Sequence, residues 1–173
     1  MNNPEYILVD EVGSVVTAVK AALSLTALNY QYGYVTELKE TLATFDKSEA
    51  FADKKFPLIY LVQPFTITRD NFRYFGKANN LEIFIINESR QDKKAPQRMT
   101  DNFKAVIYPI YRELLNQFGK SKAFQETNAA DVIHKSTDLY YWGETQQDKM
   151  INEVFDCMYI NGLTLTIKNN KNC

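Results

Sequence analysis

At 173 residues the chain fits one domain, residues 1–173, with a proper core of its own. Its hydrophobic fraction of 45% and charged fraction of 24% are those of a soluble globular protein, and 6 Gly with 5 Pro leave no long linker or collagenous tract. Lys+Arg number 20 against 21 Asp+Glu, a formal net charge of −1, which excludes a broad cationic surface for nucleic acid.

In chain order, Asn3-Pro4-Glu5 reads as a helix opening: a capping Asn, Pro at the first helical position, then an acid. Ile7, Val12, Val15, Val16, Val19 and Leu23 recur at helical spacing to about Ser24. The β-branched density makes a strand at Ile7–Val9 the competing reading. "NYQYGY" (Asn29 to Tyr34) is a break with a Gly inside an aromatic cluster. Val35, Leu38, Leu42 and Phe45 then predict an amphipathic helix.

Leu58 to Val62, apolar at every position between Pro57 and Pro64, predicts a central strand covered on both faces. "LEIFII" (Leu81 to Ile86) predicts a second. Between them runs "TITRDNFRYFGKANN", rich in Arg and aromatics and ending in turn residues. "RQDKKAPQR" (Arg90 to Arg98) reads as a solvated basic loop. Thr100-Asp101-Asn102 predicts the next helix start, with Phe103, Val106, Ile107, Ile110, Leu114 and Phe118 on one face and Gly119 as the stop. Pro109 predicts a kink there, freeing the carbonyl of Ala105. "DVIHKSTDLYYW" reads as one or two strands. "EVFDCMYI" and "LTLTIK" flank Asn161-Gly162, which predicts either a hairpin or one long strand with a bulge at Gly162. The order disfavours a doubly wound nucleotide fold. It favours an α+β fold, a mostly antiparallel sheet packed against two or three helices.

The chemistry is sparse. One His, and two Cys outside any Cys-x-x-Cys pair, make a metal site improbable, and no phosphate loop occurs. We expect no cofactor. Nucleophilic catalysis would need His134 as base, Cys157 or a serine as nucleophile, and Asp138 or Asp156 to orient the ring. None sits in a nucleophile-elbow context, and a lone strand His is more often a hydrogen-bonded structural residue. No catalytic residue is therefore assigned. The cysteine usage fits a reducing compartment, and the N-terminus lacks the features of a signal peptide. The apolar run there is broken by Asp10 and Glu11, so no membrane association is expected. Aromatics are abundant, 11 Tyr and 11 Phe, as at surfaces that meet partners.

Five blocks together carry a resemblance: "YGYVTELKETL", "KKFPLIYLVQPF", "NFKAVIYPIYRELL", "HKSTDLYYWG" and "DCMYINGLTLTI". In order and spacing they resemble virion structural proteins of tailed phages that infect Bacteroides-type bacteria, including the crAss-like group. The resemblance covers roughly residues 30–168. It implies a ring-forming subunit of the head–tail connector or tail, similar to tail-terminator or tail-completion proteins. Such a subunit would adapt portal to tail and line or seal the DNA conduit, assembled in the host cytoplasm and located in the virion. Its partners would be itself, in a six- or twelve-fold ring, and portal or other connector and tail proteins. Contact with channel DNA would be at most incidental. Residues 1–28 fall outside the blocks and are expected to be a core helix or an arm, with residues 29–168 the α+β core. Two other classes remain open, a small intracellular hydrolase using His134 and a monomeric protein-binding adaptor.

For an interface, Arg69, Phe72, Arg73, Tyr74 and Phe75 crowd into seven positions, and Arg and Tyr dominate interface energetics. Trp142, at the end of a predicted strand from His134, is expected to anchor that strand on the core or on a neighbouring subunit.

Overall fold

The computed structural model describes residues 7–45, 56–69, 75–90, 92–125, 133–142 and 154–168. They form an α+β fold around one mixed six-stranded sheet. Helix α1 is Leu8–Ala22. Its stripe of Leu8, Val12, Val15, Val16 and Val19 is buried, which settles the competition with a strand in favour of a helix packed on the core. Asp10 and Glu11 in the first turn and Lys20 in the last complement the helix dipole. The Asn3-Pro4-Glu5 opening lies outside the described residues.

The break expected at Asn29 to Tyr34 is instead strand β1, Asn29–Gly33. It runs parallel to β2 (Leu58–Val62), in register from Asn29↔Leu58 to Gly33↔Val62, with helix α2 (Val35–Phe45) as the crossover. Two contacts impose extended backbone where composition suggested a turn. The Tyr30 hydroxyl donates to the Val9 carbonyl of α1 at 3.0 Å, and the Tyr60 hydroxyl of β2 donates to the Tyr34 carbonyl at 3.1 Å. Gly33 has φ of 155°, and a Cβ there would collide with the Glu37 carboxylate and the Tyr60 hydroxyl. Glu37 reaches back to accept the Tyr34 N–H at 2.6 Å, capping the start of α2.

Every residue of β2 is buried, as its unbroken apolar run predicted. Strands β3 (Thr66–Arg69) and β4 (Phe75–Ser89) take up most of the link between the two apolar runs, so Leu81 to Ile86 is only the middle of a much longer strand. β2 and β3 lie along one side of β4, both antiparallel to it. Strand β6 (Val154–Lys168) lies along the other side, and β5 (Lys135–Trp142) completes the order β1-β2-β4-β6-β5.

Asn161-Gly162 is a bulge, not a hairpin turn: β6 continues through it against β4. Its extra residue lies between Ile160 and Leu163, opposite Leu81 to Ile83, and Gly162 takes φ of 74°. A compensating extra residue lies in β4 between Ala78 and Leu81, where Asn80 takes φ of 54°. Each bulge flips the inward and outward alternation of its own strand. Because both strands flip together, Ala78, Leu81, Ile83 and Ile85 share one face with Ile160, Leu163, Leu165 and Ile167. A hairpin would have put these residues on separate strands, with nothing long enough to pair with β4.

The next helix starts earlier than Thr100. It runs as α3 (Ala95–Arg98), a π-helical stretch (Met99–Ile107) and α4 (Tyr108–Lys120). Pro109 is the second residue of α4, two positions after the π stretch ends. The Tyr108 N–H bonds to the Phe103 carbonyl, five residues back, so the helix meets the proline with a widened coil. This helix and α1 cover one face of the sheet, over a core that includes Ile59, Ile83, Phe103, Ile107, Leu114 and Phe118. Helix α2 covers part of the other with Leu38 and Leu42, over Leu58, Tyr60, Phe84, Phe155 and Cys157.

Candidate functional site

Two polar clusters lie between the long helix and the sheet. The first is closed. Arg98, Asp156 and Asn102 are all buried, the first two completely. Arg98 Nη1 meets Asp156 Oδ1 at 2.9 Å, while its Nε and Nη2 donate to the carbonyls of Lys93 and Arg90 at 3.1 and 3.2 Å. Asn102 Nδ2 donates to Asp156 Oδ2 at 2.6 Å and to the Glu88 carbonyl at 3.0 Å, and Asn87 donates to Asn102 Oδ1 at 3.1 Å. The basic stretch is thus no solvated loop at its end. Arg98 stitches the entry of the helix to β6, and Asp156, a conceivable orienter for His134, is committed to it. Sequence gave little warning, because a lone Arg inside a charge run usually faces water.

The second cluster is open, on the outer strand β5. Ser136 and Asp138 stand opposite Ile160 and Met158 of β6 and share their helix-side face, and His134 precedes them with the same alternation. Tyr108 donates to Asp138 Oδ2 at 2.6 Å, and the Tyr111 hydroxyl lies 2.6 Å from His134 Nε2, with the two rings edge-on. Tyr108, Tyr111, Arg112, Ser136, Asp138 and Met158 line a cleft of about 290 Å³. Among the described residues, Asp138 Oδ1, the Ser136 hydroxyl and the Arg112 guanidinium have no hydrogen-bond partner on the side chains around them. The cleft therefore offers an acceptor, a hydroxyl and a cation beside two fixed phenol rings, an arrangement suited to binding.

His134 is hydrogen-bonded to the Tyr111 phenol. Cys157 lies on the opposite face of the sheet, against Leu139 and Phe155. Burial first, then the nearby charges of Asp138 and Asp156, push its thiol well above the usual range. Among the described residues no three His, Cys, Asp or Glu side chains are grouped to hold a metal ion. None of their helices is long and apolar enough to cross a membrane.

Of the residues expected at an interface, Phe72, Arg73 and Tyr74 lie outside the described residues. Arg69 ends β3 and Phe75 begins β4, paired at Arg69↔Gly76 and Phe75↔Lys168. Trp142 is the last residue of β5, opposite Phe155. The strand expected from His134 to Trp142 is present from Lys135, and the cleft is not built from the expected interface set. The residues missed were Tyr108, Tyr111 and Arg112. "YPIYR" did carry a signal, since Tyr108 lies at i and i+4 with Arg112 and Tyr111 adjoins it on a helix. Compared with known proteins, the chain matches no protein-family model and no curated sequence.

Proposed function

We propose that the chain is a virion structural protein of a tailed phage, a ring-forming subunit of the head–tail connector or tail that adapts portal to tail and lines or seals the DNA conduit. One observation carries this reading: the five resembling blocks fall on sheet strands to either side of β4 and on helices from both faces of the sheet. "YGYVTELKETL" covers the end of β1 and most of α2, "KKFPLIYLVQPF" holds β2, and "NFKAVIYPIYRELL" covers the later part of the π stretch and the first part of α4. "HKSTDLYYWG" holds β5, and "DCMYINGLTLTI" lies within β6. The likeness therefore lies in the elements that build sheet and core, as expected where the shared property is a shape for assembly. The net charge of −1 fits a ring whose bore passes DNA without gripping it.

Purified protein imaged by negative stain and weighed by native mass spectrometry, alone and with its cognate portal, tests the reading. Closed rings of six or twelve copies, free or on the portal, are expected. A chain that stays monomeric under both conditions removes it.

A further inference from the structure

The sheet is open at both ends among the described residues: β1 is the outermost strand on one side and β5 on the other. The two margins differ in chemistry. Beside β1, Tyr32 and Tyr34 are each 52% exposed and Val35 is 37% exposed, an unusual concentration of apolar surface on one edge. Beside β5 lies the cleft of about 290 Å³, whose acceptor, hydroxyl and guanidinium are unengaged among the described residues, and Ile133, just before His134 in the chain, is 83% exposed.

The two features also lie on the same face of the sheet. Tyr30 points to the α1 side, because its hydroxyl bonds to the Val9 carbonyl. Alternation puts Tyr32 on that face too, with the two rings 6.4 Å apart. Ser136 and Asp138 face α4, which packs on the same side as α1.

Resting on the ring reading, we infer that the cleft beside β5 receives Tyr32 of a second copy of this chain, so that the β1 margin of one subunit docks on the β5 margin of the next. The fit is chemical as well as topological. A phenol can donate to Asp138 Oδ1 and present its ring to the Arg112 guanidinium, while Tyr34 and Val35 cover Ile133. Knob and socket sit on opposite margins of one subunit, so each copy can use both at once. That makes the contact heterologous, the type that closes rings. None of these residues belongs to the stretch from Arg69 to Phe75 that the sequence singled out.

The test uses the full chain in two exposed-site variants, Tyr32→Asp to remove the knob and Ser136→Arg to block the socket. Each variant alone should be monomeric by native mass under conditions where the unmodified chain assembles. Mixed in equal amounts they should form a heterodimer and nothing larger, through the intact knob of one and the intact socket of the other. If either variant fails to keep the thermal midpoint of the unmodified chain, Tyr34→Ser and Arg112→Ala serve as the second pair. Assembly that survives both changes overturns the inference and leaves the ring reading standing on another interface. Two monomeric variants whose mixture gives no heterodimer also overturn it. An unmodified chain that assembles neither alone nor on its portal removes both.

Discussion

The two polar clusters under the long helix differ in one respect that decides their roles. At Arg98 and Asp156 the partner strand is β6, with β4 on one side and β5 on the other, so the charges are sealed from water and each must find partners within the protein. At Asp138 the strand is β5, the last of the sheet, and water can reach the groups that the protein leaves unpaired. Similar side chains under the same helix therefore build a fastening in one place and an open cleft in the other. Position in the sheet, more than residue type, separates them.

The sharpest way to break this comparison is at the closed cluster. Asp156→Ala leaves Arg98 buried without its counter-charge and should cost about 3–5 kcal/mol, read as a fall in the urea midpoint. Replacing the pair together, Arg98→Met with Asp156→Leu, should cost much less than Asp156→Ala, because no charge is stranded. Equal losses in the two variants would show that the cluster is not the sealed pair described.

Alkaline titration extends the comparison to hydroxyls. Burial first, then the Glu37 charge, pushes the Tyr60 phenol up to about 12, and burial raises Tyr30 and Tyr159 as well. In the unfolded chain these groups ionise near 10. Their contribution to stability is thus complete below pH 10 and is lost as pH rises from there through the folded values. Each contributes a slope of at most about 1.4 kcal/mol per pH unit. Thermal midpoints measured from pH 8 to 12 should fall beyond pH 10, and Tyr60→Phe should fall less steeply.

The open cleft should respond least. Tyr111→Phe and Asp138→Asn each remove or weaken one half-buried hydrogen bond and should cost about 1 kcal/mol or less in urea unfolding. A loss on the scale of Asp156→Ala would mean the cleft is a second fastening and would weaken its reading as a socket.

What the sequence determined by itself was the set of strongly periodic elements and the class of fold they make. The stripes of α1 and α2, the unbroken run at Leu58 to Val62 and the stripe from Phe103 to Phe118 are local patterns whose burial follows from their spacing. Tertiary structure decided the rest, in each case because the deciding partner is distant in the chain. Asn29 to Gly33 became a strand because Leu58 to Val62 offered it an edge, with Tyr30 bonded back to Val9. Asn161-Gly162 carries a strong local turn signal, yet β4 is long enough to pair across it, and Asn80 supplies the matching bulge that keeps both strands in phase. Arg98 was buried by an aspartate 58 positions away. The cleft likewise exists only where α4 crosses the outer strand, bringing Tyr108 and Tyr111 to Asp138 and His134. Local spacing fixes which face of an element is apolar, but which polar residues meet depends on how the elements cross.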